Sequence, residues 1–135
     1  MLTFVYKSTV VIICMSSMNL HTGHIELFVK DPLASLEFYR DVLEFEVIAI
    51  QHTNYVWIQK DTIEILLRPG INDYESPTYE HSRVGFVFYT EDLEKTAAEL
   101  AARGVVFCGT VDSEKCLSFK DPDGNWFQLV NPNDH

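Results

Sequence analysis

The chain has 135 residues, 47% hydrophobic and 22% charged, which suits one domain with a real core and excludes a disordered segment. Twenty acidic residues against ten basic ones give a formal charge of -10, which opposes nucleic-acid phosphates and anionic membranes as partners and would favour a cationic ligand, unless it is simply a solvated surface. Three cysteines, Cys14, Cys108 and Cys116, with no Cys-x-x-Cys pair, argue against a disulfide framework or a thiolate zinc site and fit a reducing cytoplasm.

Residues 1–21 read as an extension unlike the rest. Their apolar core, Val10 to Met15, is shorter than the roughly 20 residues a membrane span needs. With one lysine and no clear small-x-small cleavage site it makes a weak signal peptide, and Met15 and Met18 are alternative starts. The expectation is a loosely ordered segment or an extra edge strand before a single domain over 22–132.

The domain divides into two similar units, 22–70 and 82–132. "HIELFVKDPLASLEFYRDVL" and "GFVFYTEDLEKTAAELAARG" superpose at a constant offset of 61 positions, pairing Asp31 with Asp92 and Tyr39 with Leu100. Each opens with an alternating strand, in which His24, Glu26 and Phe28 share one face in the first copy and Gly85, Val87 and Tyr89 in the second. A helix follows in both. Asp31 caps the first with Pro32 in its first turn, Asp92 caps the second, and Gly104 ends it. Three more strand-like segments complete each unit: "EFEVIAI", "NYVWIQK" and "TIEILLR", then "VVFCGTV", "KCLSFKD" and "NWFQLV". In the latter group Cys108 and Cys116 read as small core residues. The pattern is βαβββ twice, an α+β chain.

A sheet with its helix on one face leaves the other free, and two such sheets would enclose a half-barrel cleft lined by the strand face that carries His24, Glu64, Gly85 and Gln128. Gln128 is conspicuous, because "WFQLV" after the Asp121-Pro122-Asp123-Gly124 turn is otherwise apolar and a buried amide needs a partner. Tyr55, Trp57, Tyr89 and Trp126 supply aromatic surface that can pack or stack against a ligand.

These residues resemble the vicinal oxygen chelate superfamily, which includes glyoxalase I, bleomycin and fosfomycin resistance proteins and extradiol dioxygenases. The resemblance runs over about residues 22–132 and rests on "GHIELFVKD", "LEFYRDVL", "DLEKTAAELAARGV" and "DPDGNWFQLVNP" in that order. It implies the glyoxalase-like fold and, by position, a divalent-metal set of His24, Glu64 and Gln128, for Zn, Ni, Mn or Fe, with Glu64 also moving a proton. The set is incomplete. Gly85 stands where the family typically has histidine, Gln128 where it has glutamate, and Glu44 where a glycine commonly ends the first helix. His81, four residues from Gly85, lies too far along a strand to substitute for the missing ligand. Restoring histidine at Gly85 is then expected to strengthen metal binding.

Two functions follow from the resemblance. One is a metal-dependent lyase, isomerase or thiol transferase acting on a small oxygenated substrate. The other is a metal-free protein that sequesters a cationic antibiotic or metabolite in a cleft lined by Glu26, Phe28, Tyr55, Trp57, Gly85, Val87, Tyr89 and Trp126. Neither requires nucleic acid or membrane, and both suit a homodimer. The residues also have plainer readings: His24 satisfied at a strand end, Glu64 paired with Arg68 or His24, and Gln128 a hydrogen-bonded core amide.

Overall fold

The computed structural model describes residues 2–6, 9–13, 18–71 and 74–134. Cys14 and the alternative start Met15 lie outside them. Strands β1 (Leu2–Tyr6) and β2 (Thr9–Ile13) pair antiparallel as a sheet of their own, so the extension makes a hairpin rather than an added edge strand.

The first unit runs β3 (Ile25–Val29), α1 (Pro32–Glu37), a π turn over Phe38–Val42, β4 (Glu46–Gln51), β5 (Tyr55–Lys60) and β6 (Ile63–Pro69). The second runs β7 (Phe86–Tyr89), α2 (Leu93–Ala102), β8 (Thr110–Val111), β9 (Ser113–Lys120) and β10 (Trp126–Val130). The sheets have matching orders, β3-β6-β5-β4 and β7-β10-β9-β8. In each, the first and last strands of the unit run parallel and the remaining pairs antiparallel.

Local chemistry accounts for the helix ends. Asp31 Oδ1 accepts from the backbone N–H of Leu33 and Ala34 at 3.1 and 3.3 Å, and Asp92 Oδ1 from that of Lys95 at 3.1 Å. Gly104, at φ +99°, closes α2 as the Val105 N–H bonds back to the Leu100 carbonyl at 3.0 Å. The first helix ends differently. Its last turn widens, with the Leu43 N–H donating to the Phe38 carbonyl at 3.2 Å, and Glu44 takes the left-handed conformation at φ +62° without being glycine. Arg103 steadies that turn from the end of α2, bonding the Val42 carbonyl at 2.9 Å and Glu44 Oε2 at 3.1 Å.

One expected strand is mostly lost. Of "VVFCGTV" only Thr110 and Val111 are in β8, because Gly109 at φ +109° and a register shift break the ladder. Two bonds to Ser118, through the Cys108 N–H and the Gly109 carbonyl, continue the pairing irregularly. Cys108 is consequently exposed rather than in the core, whereas Cys116 is fully buried.

The two units share one core. Leu27, Val29, Val56, Ile58, Ile65 and Leu67 of the first sheet belong to the same cluster as Phe119, Phe127 and Leu129 of the second, with Leu36, Tyr39 and Leu100 from the helices. By alternation, the other face of each sheet is the one turned away from this core.

The Asp121–Gly124 turn fastens the units together. Asp121, 5% exposed, accepts from the Tyr39 hydroxyl at 2.5 Å, from the Asn125 side-chain amide, and from the backbone N–H of Asp123 and Asn125. Asp123 accepts from Ser35 Oγ and from the Lys30 N–H, each at 2.8 Å. Burial raises the Asp121 carboxyl above the ordinary aspartate range, with its hydrogen bonds opposing the shift, and burial likewise raises the Tyr39 phenol.

Candidate functional site

On the first sheet, parity places His24, Glu26 and Phe28 of the β3 segment on the outward face, level with Glu64, Leu66 and Arg68 on β6 and Tyr55 and Trp57 on β5. Glu26 is the hub. Its Oε1 accepts from Arg68 Nη1 at 2.7 Å and its Oε2 lies 2.8 Å from His24 Nε2. The guanidinium, then the imidazole, holds the Glu26 carboxyl below its usual range. The Arg68 guanidinium carbon sits 5.6 Å from the Phe28 ring centre and 5.2 Å from that of Tyr55, so the cation is stacked on both rings. Arg68 Nε is buried and has no hydrogen-bond partner among the described residues. The His24 ring meets Trp57 edge-on, centroids 4.5 Å apart.

His24 lies within hydrogen-bond distance of Glu26. It is Glu26, not Glu64, that pairs with both His24 and Arg68. Glu64 stands beside His24 by strand register, since Ile25 pairs with Ile65.

On the second sheet the outward face carries Gly85, Val87 and Tyr89 with Trp126, Gln128 and Val130. The segment between the units lies across it. The Trp126 indole donates to the Ser76 carbonyl at 2.9 Å, Lys120 pairs with Glu75 at 3.0 Å, and a 3-10 turn at Tyr79–His81 lays the Tyr79 ring over Val111, Cys116 and Val130. Gln128 Nε2 donates to the Tyr79 hydroxyl at 3.1 Å. That is the partner the lone amide requires.

Tyr79 also explains Gly85. A Cβ at that glycine would collide with the Tyr79 hydroxyl and ring. The expectation that histidine there would complete a metal site changes accordingly, because the space it needs holds a phenol. His81 is engaged elsewhere, with Nδ1 2.6 Å from Thr78 Oγ1.

His24, Glu26, Phe28, Tyr55, Trp57 and Glu64 therefore share one face of the first sheet, and Gly85, Val87, Tyr89, Trp126 and Gln128 one face of the second. As arranged, the donors do not fit a divalent ion. His24 is turned to Glu26, Gln128 presents its nitrogen to Tyr79, Gly85 offers nothing, and no group of three or more His, Cys, Asp or Glu suited to a metal occurs among the described residues. Sequence reasoning missed Tyr79, which lies in "SPTYEHS", a stretch with no periodicity and no motif.

Two βαβββ units with matching strand orders define a paired-module α+β fold. The chain belongs to the Glyoxalase/Bleomycin resistance protein/Dioxygenase superfamily, whose profile matches residues 21–129. Similar solved structures include a variant of the fosfomycin resistance protein FosX from Listeria monocytogenes complexed with Mn(II) and 1S,2S-dihydroxypropylphosphonic acid. It is 21% identical with a TM-score of 0.66, covering 84% of this chain and 90% of that one. TnmS3, an antibiotic binding protein from Streptomyces sp. CB03234, is 22% identical with a TM-score of 0.61, over 84% and 99% of the two chains. Lactoylglutathione lyase from Agrobacterium tumefaciens is 19% identical with a TM-score of 0.62, over 87% and 96%. At these identities the likeness is one of fold. No curated protein matches the chain by sequence. No helix among the described residues is long and apolar enough to cross a membrane.

Proposed function

We propose that this chain binds a small organic molecule as a homodimer and without a resident metal ion. The observation that carries the reading is the Tyr79–Gln128 hydrogen bond packed against Gly85, which turns the second sheet's share of a metal set into a neutral hydrogen-bonding pair. The first sheet contributes aromatic surface from Phe28, Tyr55 and Trp57, with Glu26 and Arg68 cancelling each other's charge. The chain's acidity would favour a cation, but the local pairing favours a ligand held by stacking and hydrogen bonds.

The dimer follows from the two outward faces. A two-fold partner brings the first sheet of one copy over the second sheet of the other and makes two equivalent clefts. Exposed Ile25, Ile63, Val84 and Val87, at and beside the free edges of β3 and β7, supply apolar contact for it.

A metal-dependent lyase, isomerase or thiol transferase is the second reading, favoured by His24 and Glu64 standing side by side on adjacent strands. Light scattering, with titration of bleomycin and fosfomycin followed by fluorescence of Trp57 and Trp126, separates the two. The proposal expects a dimer and quenching that EDTA leaves unchanged and Trp57→Ala abolishes. A monomer, or binding that appears only with added Mn(II) or Zn(II), would refute it.

A further inference from the structure

We infer that Tyr79 and Gln128 together form a recognition pair for an amide-like group, making Tyr79 a specificity-determining residue of the cleft. The inference rests on the ligand-binding reading above and says what the second sheet selects.

Hydrogen-bond valence carries the argument. Gln128 spends one N–H on the phenol oxygen of Tyr79, so the phenol has its own O–H to donate, while the Gln128 carbonyl oxygen has lone pairs to offer. A donor and an acceptor thus stand side by side. Their complement is a ligand group that presents a carbonyl oxygen beside an N–H, as a carboxamide or lactam does. A carboxylate lacks the N–H, and an ammonium lacks the acceptor.

The surroundings agree. Gln128 lies in a hollow of about 410 Å³ lined otherwise by Val87, Tyr89, Val130 and Pro132, with no charged side chain in its wall. Lys120, which shares this face, is paired with Glu75 and lies over the Trp126 ring at 5.4 Å. Tyr79 does not line this hollow and meets it through its hydrogen bond to Gln128, and a wall without charge rewards a neutral polar head, because a charged one would be desolvated without a counterion. Tyr79 is fixed for this role from several directions: its ring packs on Val111, Cys116 and Val130, its hydroxyl fills the space over Gly85, and the Ser76 carbonyl three residues before it is tied to Trp126. A site that discriminates by leaving unmet hydrogen bonds with the wrong ligand needs such fixed partners.

The test uses benzamide as probe, with benzoate and benzylamine as controls, followed by NMR of the Gln128 side-chain amide and the two indole N–H groups in the full-length protein. Benzamide is expected to shift the Gln128 amide and the Trp57 indole at concentrations where benzoate and benzylamine do not. Tyr79→Phe, which keeps the ring, should weaken benzamide about tenfold and erase the preference over benzoate. If benzamide moves the Trp57 indole but leaves Gln128 unmoved, or if Tyr79→Phe binds it equally well, the recognition pair is refuted and the binding reading stands. If none of the three probes moves either residue, both readings fall. A Zn(II) titration that shifts the Gln128 amide regardless of Tyr79→Phe also overturns the pair.

Discussion

Replacing Tyr39 by phenylalanine removes a single oxygen and leaves an identical ring in a site with no solvent exposure, so it isolates the hydrogen bond to Asp121. A hydrogen bond to a charged group contributes about 1.5–3 kcal/mol, which for a domain of this size lowers Tm by roughly 5–12 °C. The effect has a sign in pH. Burial already lifts the Asp121 carboxyl above its unfolded value, so the stability tied to its proton is complete below the ordinary aspartate range and is lost as pH rises through the folded value. The Tyr39 hydroxyl opposes that lift, and without it the folded value rises further. The deficit of the variant should therefore grow from acid to neutral pH, from about 0.5–1.5 kcal/mol, a neutral hydrogen bond, to the charged figure. Urea denaturation of parent and variant at matched protein concentration, at several pH values, measures it. A deficit below about 0.5 kcal/mol at neutral pH, or one that shrinks as pH rises, would refute the account of the inter-unit fastening.

Two further outcomes are expected. Gly85→Ala should destabilise the parent by about 1–3 kcal/mol through collision with Tyr79, yet cost little in a Tyr79→Ala background, and a strictly additive double-mutant cycle would show that the two residues do not share that space. Deleting residues 1–18, whose strands pair only with each other, should leave Tm within roughly 2 °C of the parent; a larger drop would show that the hairpin is part of the domain or of its interface.

The repeated body was legible because its signals are local. Asp31, Pro32, Asp92 and Gly104 mark helix ends by their own backbone chemistry, and alternation alone places Trp126, Gln128 and Val130 on one face. What escaped depends on distant partners. Nothing near Asp121 says that its carboxylate meets Tyr39, 82 positions away, and nothing near Gln128 says that its partner comes from the connecting segment. Glu26 looked like one more outward side chain, yet it is the residue that takes up His24 and Arg68. The misplaced Cys108 has a different cause: one glycine with positive φ overrides the strand propensity of its neighbours.

The crowding between Tyr79 and Gly85 also couples the two positions. While the phenol is in place, a side chain at 85 meets a steric penalty, and while 85 is glycine, the phenol has room. Each residue holds the other where it is. An imidazole on β7's leading end would have to displace the Tyr79 phenol, and with it the anchor of Gln128. The order of substitutions at 79 and 85, more than their number, would decide whether a side chain at 85 is tolerated.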